Sequence, residues 1–401
     1  MKTLLITPKF PPLRCGVGDY ASELARFLAS RGEEVCVLTQ PAPDRMPPGE
    51  IRLRELPMRG WRDLPAVLSV IREESPDWVQ LEYSHYGWHR FGCASWLNAL
   101  FVLLRLRGCK MRLALHEVPI LFRQHPKLVP VALAQRLHTW LLSAAAHEVI
   151  TNTGERVVQM RRWLPWRQAT VRYRPNSNCN PVFTFPAEWR HVLREERGVQ
   201  PGDLVLGVYG LFGAGKNTET AIRAVAQSRG ELRLHLWLLG DHSGADPSYI
   251  AQLRRAAEPL GRRAWWSGPL SPEDVSRHLQ ALDILLLPQA DGHLTRSGSF
   301  MAAAAHGLPV IAVRNDINQR EFTHTENVWL INEPPEQTLP RAIRELALDN
   351  ERRAKLARNV RALYRSTFDW PAVAARLAAP PLPLDPIAAW NTASEPDRKA
   401  S

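Results

Sequence analysis

Residues 283–313 read DILLLPQADGHLTRSGSFMAAAAHGLPVIAV, and this stretch decides the fold. Ile284 to Leu287 is an apolar run of strand length. A polar loop with Asp291, Arg296, Ser297, Gly298 and Ser299 follows. The small residues from Phe300 to His306 then predict a short helix closed by Gly307 in the left-handed conformation. Pro309 leads into a second apolar strand, Val310 to Val313. The helix begins at Gly298 and Ser299, so its first N–H groups point into a loop that supplies Arg296. That is an anion site, suited to a phosphate or diphosphate. A serine-capped turn with no ligand has the same letters; Arg296 beside Gly298 and Ser299 favours phosphate.

Outward from this segment the chain alternates strand and helix. Strands are expected at Thr3–Thr7, Glu34–Thr39, Trp78–Leu81, Arg112–Leu115 and Glu148–Thr151, with helices at Asp19–Arg31, Ala94–Leu106 and 130–146. A Pro- and Asn-dense region beginning at 175 interrupts the rhythm. A second block runs through strands Leu204–Tyr209, Leu234–Leu239 and Ala264–Ser267. Its helices are expected at 218–228, 247–259, 272–281, 337–347 and 350–366. The expected fold is therefore α/β with two Rossmann-like domains, 1–180 and 204–370, facing across a cleft. Residues 181–203 read as their linker. Residues 371–401 form a C-terminal segment whose Pro- and Ala-rich end, from 380, reads as a poorly ordered tail.

A length of 401 residues exceeds one ordinary core, which agrees with two domains. Arg105 and Arg136 interrupt the longest apolar runs, so no segment reads as a bilayer span. The opening MKTLLIT reads as a first core strand and not as a cleaved signal. Five cysteines without CxxC spacing suggest reduced thiols in a cytoplasmic protein without a zinc site. The net charge of +11 comes with only seven lysines among 51 basic residues. Arginine spread so evenly reflects base composition as readily as a binding face, and no zinc finger, RNP motif or lysine-rich arm is present, so nucleic acid is not the expected partner. A basic surface does favour acidic ligands or the anionic inner face of a membrane.

Five motifs are candidates for chemistry. Gly210-Leu-Phe-Gly-Ala-Gly-Lys216-Asn217 has P-loop spacing, but Asn217 replaces the hydroxyl that would hold magnesium. A nucleoside-triphosphatase with Asp241 as its acidic partner is therefore one alternative, and an Asn helix cap is another. Lys216, in a lysine-poor chain, sits where an ammonium can neutralise phosphate without metal. Gly16 and Gly18 lie between the first strand and helix and let a ligand approach the backbone, although Ala21 breaks the GxGxxG dinucleotide fingerprint. His116-Glu117 follows a strand at the carboxyl edge of the first sheet, where open α/β folds hold ligands, and this pair could polarise a hydroxyl; a loop histidine satisfied by its neighbours is the plainer reading. Trp265 and Trp266 suit base stacking or core packing, and the aromatic stretch His85 to Phe91 suits an acceptor grip. No HExxH or similar metal spacing is present.

Together these segments resemble the nucleotide-sugar glycosyltransferases of GT-B type, and family 4 in particular. The resemblance covers roughly residues 1–370. It rests on FPPLRCGVGDYASELARFLASRGEEVCVLT, LALHE, GLFGAGKNTETAIRAV, WSGPLSPEDVSRHLQALDILLLP and GLPVIA. It implies that Gly16 touches the donor diphosphate, that His116 lies at the reacting sugar and that Lys216 holds the diphosphate. The chain departs from the family where Leu211 stands for an arginine and where Leu294 and Ala302 stand for two glutamates. A variant subgroup, in which Asp291 and Arg296 take over part of these duties, is the expectation.

The implied function is transfer of a sugar from a UDP- or GDP-sugar to an acceptor hydroxyl with retention of configuration, in glycan or glycoconjugate synthesis. Catalytic roles fall to His116, Asp291, Lys216 and Arg296. Donor binding falls to Gly16, Lys216, Arg296, Ser297, Gly298 and Ser299. No metal and no resident cofactor is expected. The acceptor is a glycan, a lipid-linked sugar or a small molecule. A catalytically silent GT-B protein that binds a nucleotide or a partner is the competing reading.

Overall fold

The computed structural model describes residues 1–13, 15–43, 49, 51–117, 119, 128–228, 230, 232–289, 293–314 and 321–378. They divide into two compact units, Met1–Pro175 and Asn176–Ala372, with the residues from Val373 counting with the first.

The first unit runs β1 (Lys2–Ile6), α1 (Gly16–Ser30), β2 (Glu34–Thr39), β3 (Arg52–Glu55), α2 (Leu64–Glu74), β4 (Trp78–Tyr83), α3 (His85–Trp88), α4 (Ser95–Leu106), β5 (Lys110–Leu115), α5 (Val129–Ala145), β6 (Glu148–Thr151), α6 (Gly154–Trp163) and β7 (Val171–Tyr173). Its sheet has the order β3-β2-β1-β4-β5-β6-β7 with every pairing parallel. The order reverses between β1 and β4, and the crevice beyond the carboxyl ends of those strands is where such sheets take ligands. Strands covered on both faces need apolar side chains on both, which is why TLLI of β1 and VCVLT of β2 are buried throughout.

The second unit contains α7 (Trp189–Glu196), β8 (Leu204–Tyr209), α8 (Thr218–Ser228), β9 (Leu234–Leu239), α9 (Pro247–Ala257), β10 (Ala264–Trp266), α10 (Pro272–Ala281), β11 (Ile284–Leu287), α11 (Gly298–His306), β12 (Val310–Val313), β13 (Trp329–Ile331), α12 (Pro335–Leu348) and α13 (Asn350–Leu363), with α14 (Trp370–Ala378) closing the described chain. Its parallel sheet has the order β10-β9-β8-β11-β12-β13 and reverses between β8 and β11. Alternate strand residues feed two cores. Leu206, Leu236, Leu238, Leu286 and Ile311 pack with α8, α9 and α12. Val205, Trp237, Leu285, Leu287 and Val310 pack with α10 and α11.

The doubly wound pair of sheets is as the sequence led us to expect, and three details differ. Residues 181–203 are no free linker: Arg190 of α7 pairs with Asp283 at 2.8 Å, and Asp283 also accepts from the N–H of Val205. The division falls instead at Pro175–Asn176. Helix α11 extends the small-residue run Phe300–His306 back to Gly298, where its first N–H groups are expected, because Ser297 caps it by accepting from Phe300 N–H at 3.2 Å. The edge strands β3, β7 and β13 have no expected counterpart; β3 reads RLRE with no buried face, so it leaves no apolar pattern.

Candidate functional site

In the first unit the site is built on the carboxyl ends of β4 and β5. β5 delivers His116, whose N–H continues the ladder by donating to Tyr83 C=O at 2.9 Å. Its carbonyl accepts from Arg156 Nη1 at 2.9 Å, so the backbone is pinned on both sides. The ring is pinned as well. His116 Nε2 lies 2.6 Å from Glu82 Oε2, and Tyr20 of α1 meets the ring edge-on at 5.3 Å. Glu82, on β4, is wholly buried. Its other oxygen takes Gln80 Nε2 and lies 3.6 Å from Arg174, which sits over the Tyr20 ring. Burial alone would push the Glu82 carboxyl up; the Arg174 charge and the hydrogen bonds from His116 and Gln80 outweigh it and hold the carboxyl below its ordinary value. An ionised Glu82 requires Nε2–H on His116, which in the neutral ring leaves Nδ1 as the lone-pair atom, and Nδ1 makes no hydrogen bond among the described residues.

The expected His116-Glu117 pair is corrected here. Glu117 accepts from Ser84 Oγ at 2.9 Å, and the carboxylate that holds His116 is Glu82, 34 residues upstream. The signal for it was present: Gln80 and Glu82 are polar letters at alternate positions of WVQLEY, so they share one face of a strand buried on both. Glycine is needed at 18, where a Cβ would meet Lys9 C=O at 2.5 Å, whereas Gly16 is exposed and a Cβ there would meet nothing. Gly16 opens α1, and Cys15 before it makes no side-chain cap, so the first turn presents bare N–H groups. Of the aromatic stretch, His85 and Trp88 are core residues, bonded to Thr139 Oγ1 and to Glu82 C=O; Tyr86 and Phe91 are exposed.

In the second unit the crevice at the β8–β11 reversal is lined by Tyr209, Gly210, Leu211, Phe212, Lys216, Pro288 and Gln289. Gly210 and Gly240, both at positive φ (126° and 135°), end β8 and β9 so close together that a Cβ on Gly240 would lie 2.2 Å from Gly210 C=O. The turn from 210 ends in a short 3-10 stretch at Ala214–Lys216, and Lys216 Nζ donates to Gln289 Oε1 at 3.0 Å. Asn217 precedes α8 and its C=O accepts from Ala221 N–H at 3.3 Å, but its side chain is turned elsewhere. The residue takes a left-handed φ of 50°, and its Nδ2 ties the turn to Pro288 C=O at 3.0 Å. Asp241 is occupied by Ser243, accepting from both its N–H and its Oγ. This is the chemistry of a turn aspartate.

Helix α11 meets the same strand end. Ser299 Oγ donates to Tyr209 C=O at 2.7 Å, and Arg296 C=O accepts from Asn176 Nδ2 at 2.9 Å. The hydroxyls of Ser297 and Ser299 thus hold the turn together; Ser299 gives its hydrogen to Tyr209 C=O, whereas Ser297 accepts and keeps its own. The N–H groups of Gly298 and Ser299 donate to no acceptor among the described residues, and Gly298 faces open space. Structure therefore brings Lys216, Gly298 and Ser299 to one strand end, with Arg296 in the adjoining turn. Asp291 lies outside the described residues. Trp265 stacks on His278 at 5.1 Å, and Trp266 packs with Phe212 and His242, so both are engaged in ring packing. Among the described residues no three His, Cys, Asp or Glu side chains gather so as to hold a metal ion.

Two family descriptions match this chain: glycosyl transferase 4-like domain over residues 15–177, and glycosyl transferases group 1 over residues 190–363. The chain belongs to the group 1 glycosyltransferases. It is 25% identical over 398 residues to a D-inositol 3-phosphate glycosyltransferase of Xylanimonas cellulosilytica, covering 90% of each chain. Over 153 residues it is 29% identical to the lipopolysaccharide core biosynthesis glycosyltransferase LpsE of Rhizobium meliloti, covering 37% of this chain and 41% of that one. Anabaena HepE, solved in complex with UDP and glucose, shares the fold at a TM-score of 0.71 and 17% identity, covering 97% of this chain and 100% of that one. Within this group 1 glycosyltransferase the two glutamate positions are core: Ala302 is 0% and Leu294 5% exposed, both among apolar neighbours. Leu211, where the arginine would stand, is 65% exposed on the rim of the crevice.

Proposed function

We propose that the protein moves a sugar from a nucleoside-diphosphate sugar, UDP or GDP, to an acceptor hydroxyl with retention of configuration. The observation that carries this reading is that Tyr209, at the end of β8, lines the crevice that holds Lys216 and accepts from Ser299 Oγ beside the open N–H groups of Gly298 and Ser299. One ammonium and a helix terminus at one strand end suit a departing diphosphate, and Arg296 adds a second cation in the adjoining turn. No resident cofactor enters this scheme. The family relation and HepE's complex with UDP support a nucleotide donor.

His116 is assigned to the reacting sugar. With Nε2–H committed to Glu82, Nδ1 offers a lone pair that can accept from a donor hydroxyl. Gly16, at the bare first turn of α1, is assigned to the diphosphate. No described side chain stands out as a nucleophile, so attack from the leaving-group side, assisted by the diphosphate, is the mechanism proposed. Asp291 is proposed as the acid that orients donor hydroxyls in place of the two family glutamates. Glycan or glycoconjugate synthesis is the proposed setting, cytoplasmic, with a glycan, lipid-linked or small-molecule acceptor.

Core positions at 294 and 302 favour one other reading, a protein that binds the nucleotide without turning it over. Release of UDP, GDP or ADP from a panel of sugar nucleotides separates the two. Turnover that falls about 10²-fold or more in Lys216→Ala, with an unchanged melting temperature, supports transfer. Calorimetric nucleotide binding without turnover of any donor, with or without acceptor extracts, assigns the silent role.

A further inference from the structure

Helix α5 is inside out. Its buried residues are Ala132, Gln135, His138, Thr139, Leu142 and Ser143, four of the six polar. Its outward residues are Pro130, Leu133, Ala134, Leu137 and Leu141, with the leucines 54%, 59% and 40% exposed. Positions 130, 133, 134, 137 and 141 fall on one stripe at helical spacing, about 16 Å long. A helix that only had to pack on its own sheet would carry the opposite pattern. The stripe is extended by Leu128 before the helix and by Val102 and Leu106 on the neighbouring α4, all exposed. Trp166, 63% exposed, stands edge-on to Trp140 of α5 at 6.3 Å. Exposed large apolar side chains in this number on two packed helices mark a covered face.

Charge says what covers it. Neither α4 nor α5 carries an acid, and their charged side chains are Arg105 and Arg136. Arg105 and Arg107 are exposed on and just beyond the last turn of α4, and Arg136 lies half-buried on α5 itself. A second copy of the same face would set arginine against arginine, whereas anionic lipid headgroups complement them. Leucines that insert, arginines that reach headgroups and a tryptophan at the boundary are what a helix lying in a bilayer interface needs.

We propose that the outer face of α5, with the end of α4, seats the first unit on an anionic phospholipid bilayer. This goes beyond the reading of the reaction and does not depend on it, because binding is read without donor or acceptor. The test is co-sedimentation of the full chain with vesicles of phosphatidylcholine alone and of phosphatidylcholine mixed with phosphatidylglycerol. Wild type binds the mixed vesicles and binds the neutral ones about tenfold or more weakly. Replacing Leu133, Leu137 and Leu141 together by Gln lowers binding to mixed vesicles by about tenfold or more while circular dichroism and the melting temperature stay unchanged, since these side chains support no core. Leu137→Gln alone gives a smaller loss of the same sign and guards against misfolding of the triple variant. Arg105→Gln with Arg107→Gln lowers mixed-vesicle binding about tenfold without touching the leucines. Wild type that ignores anionic vesicles, or leucine variants that bind as wild type, would overturn the proposal. So would a dimer in sedimentation velocity that the leucine variants dissolve, which would give the face to a second copy.

Discussion

Glu82→Gln tests how far His116 depends on a buried carboxylate. Glutamine keeps the volume and can still meet Gln80 and His116, but it removes the charge that faces Arg174 at 3.6 Å and His116 at 2.6 Å. Arg174 Nη1 is already buried without a hydrogen-bond partner among the described residues, so its guanidinium would lose the one anion that those residues set beside it. Hydrogen bonds to charged groups contribute about 1.5–3 kcal/mol, and stripping one partner from a buried pair costs about 3–5 kcal/mol. An isosteric amide should fall at the lower end, about 2 kcal/mol, which lowers the urea midpoint by roughly 1 M. The folded carboxyl ionises below its ordinary value, so this contribution is full above that value and is lost as pH falls through the lowered one. Function should suffer further. An amide can donate to Nε2 as easily as accept from it, so the ring is free to take the other tautomer and turn Nδ1 from acceptor to donor. Turnover of the sugar nucleotide is expected to drop roughly 10- to 100-fold, mainly in kcat. The decisive assay is a double-mutant cycle with His116→Ala. If Glu82 acts through His116, Glu82→Gln adds little once the ring is gone. Losses that multiply in the double variant would refute the link and leave Glu82 as a structural ion partner.

Three further outcomes follow from the same geometry. Leu211→Arg restores a cation at the exposed rim of the β8–β11 crevice, and calorimetry at low salt should show nucleoside diphosphate bound roughly twofold to fivefold more tightly; unchanged affinity would place the diphosphate elsewhere. Ala302→Glu, by contrast, puts a carboxylate at a position with no exposure among apolar neighbours, so it should cost several kcal/mol and lower the melting temperature by about 10 °C; a stable variant with higher turnover would show that the position opens on the site. His85 and His138 are buried without full hydrogen bonding, and burial pushes them down to about 3 and about 4. The fold holds both rings neutral while the unfolded chain binds protons below about pH 6.5, so stability is full above that pH and falls as pH drops toward 4. His138→Gln should flatten this slope by about 1.4 kcal/mol per pH unit in denaturation curves, and an unchanged slope would refute the assignment.

The parallel sheets were legible because strands buried on both faces write themselves as unbroken apolar runs: LLI, VCVLT, LHLWLL, ILLL and VIAV all lie where the letters put them. Edge strands have one neighbour and little to bury, so RLRE of β3 left no pattern. Lys216 was legible as the rare lysine of a glycine turn, but its partner was not, because Gln289 stands 73 residues away and only the pairing of β8 with β11 brings them together. Asn217 misled for a local reason. Asn before a helix usually caps it, yet here a left-handed backbone turns its amide toward Pro288.

Glu82 shows where local reading stops. Within WVQLEY the two polar letters look like an interruption, because nothing nearby in sequence needs them. In space the face they share meets Tyr20, His116 and Arg174, from three other elements, and each of the four is held by at least one of the rest. A buried carboxylate would be costly alone. With Arg174 as counter-charge and His116 as donor it stays ionised, and the same charge sets which nitrogen of His116 carries its proton. The ion pair and the tautomer are therefore one requirement, and no substitution at 82 that removes the charge can keep either. The inverted face of α5 follows the same logic in reverse. There the polar residues turn inward and form part of this unit's buried polar network, His85 with Thr139 and Gln135 with Phe91 C=O, which leaves the leucines outward and exposed.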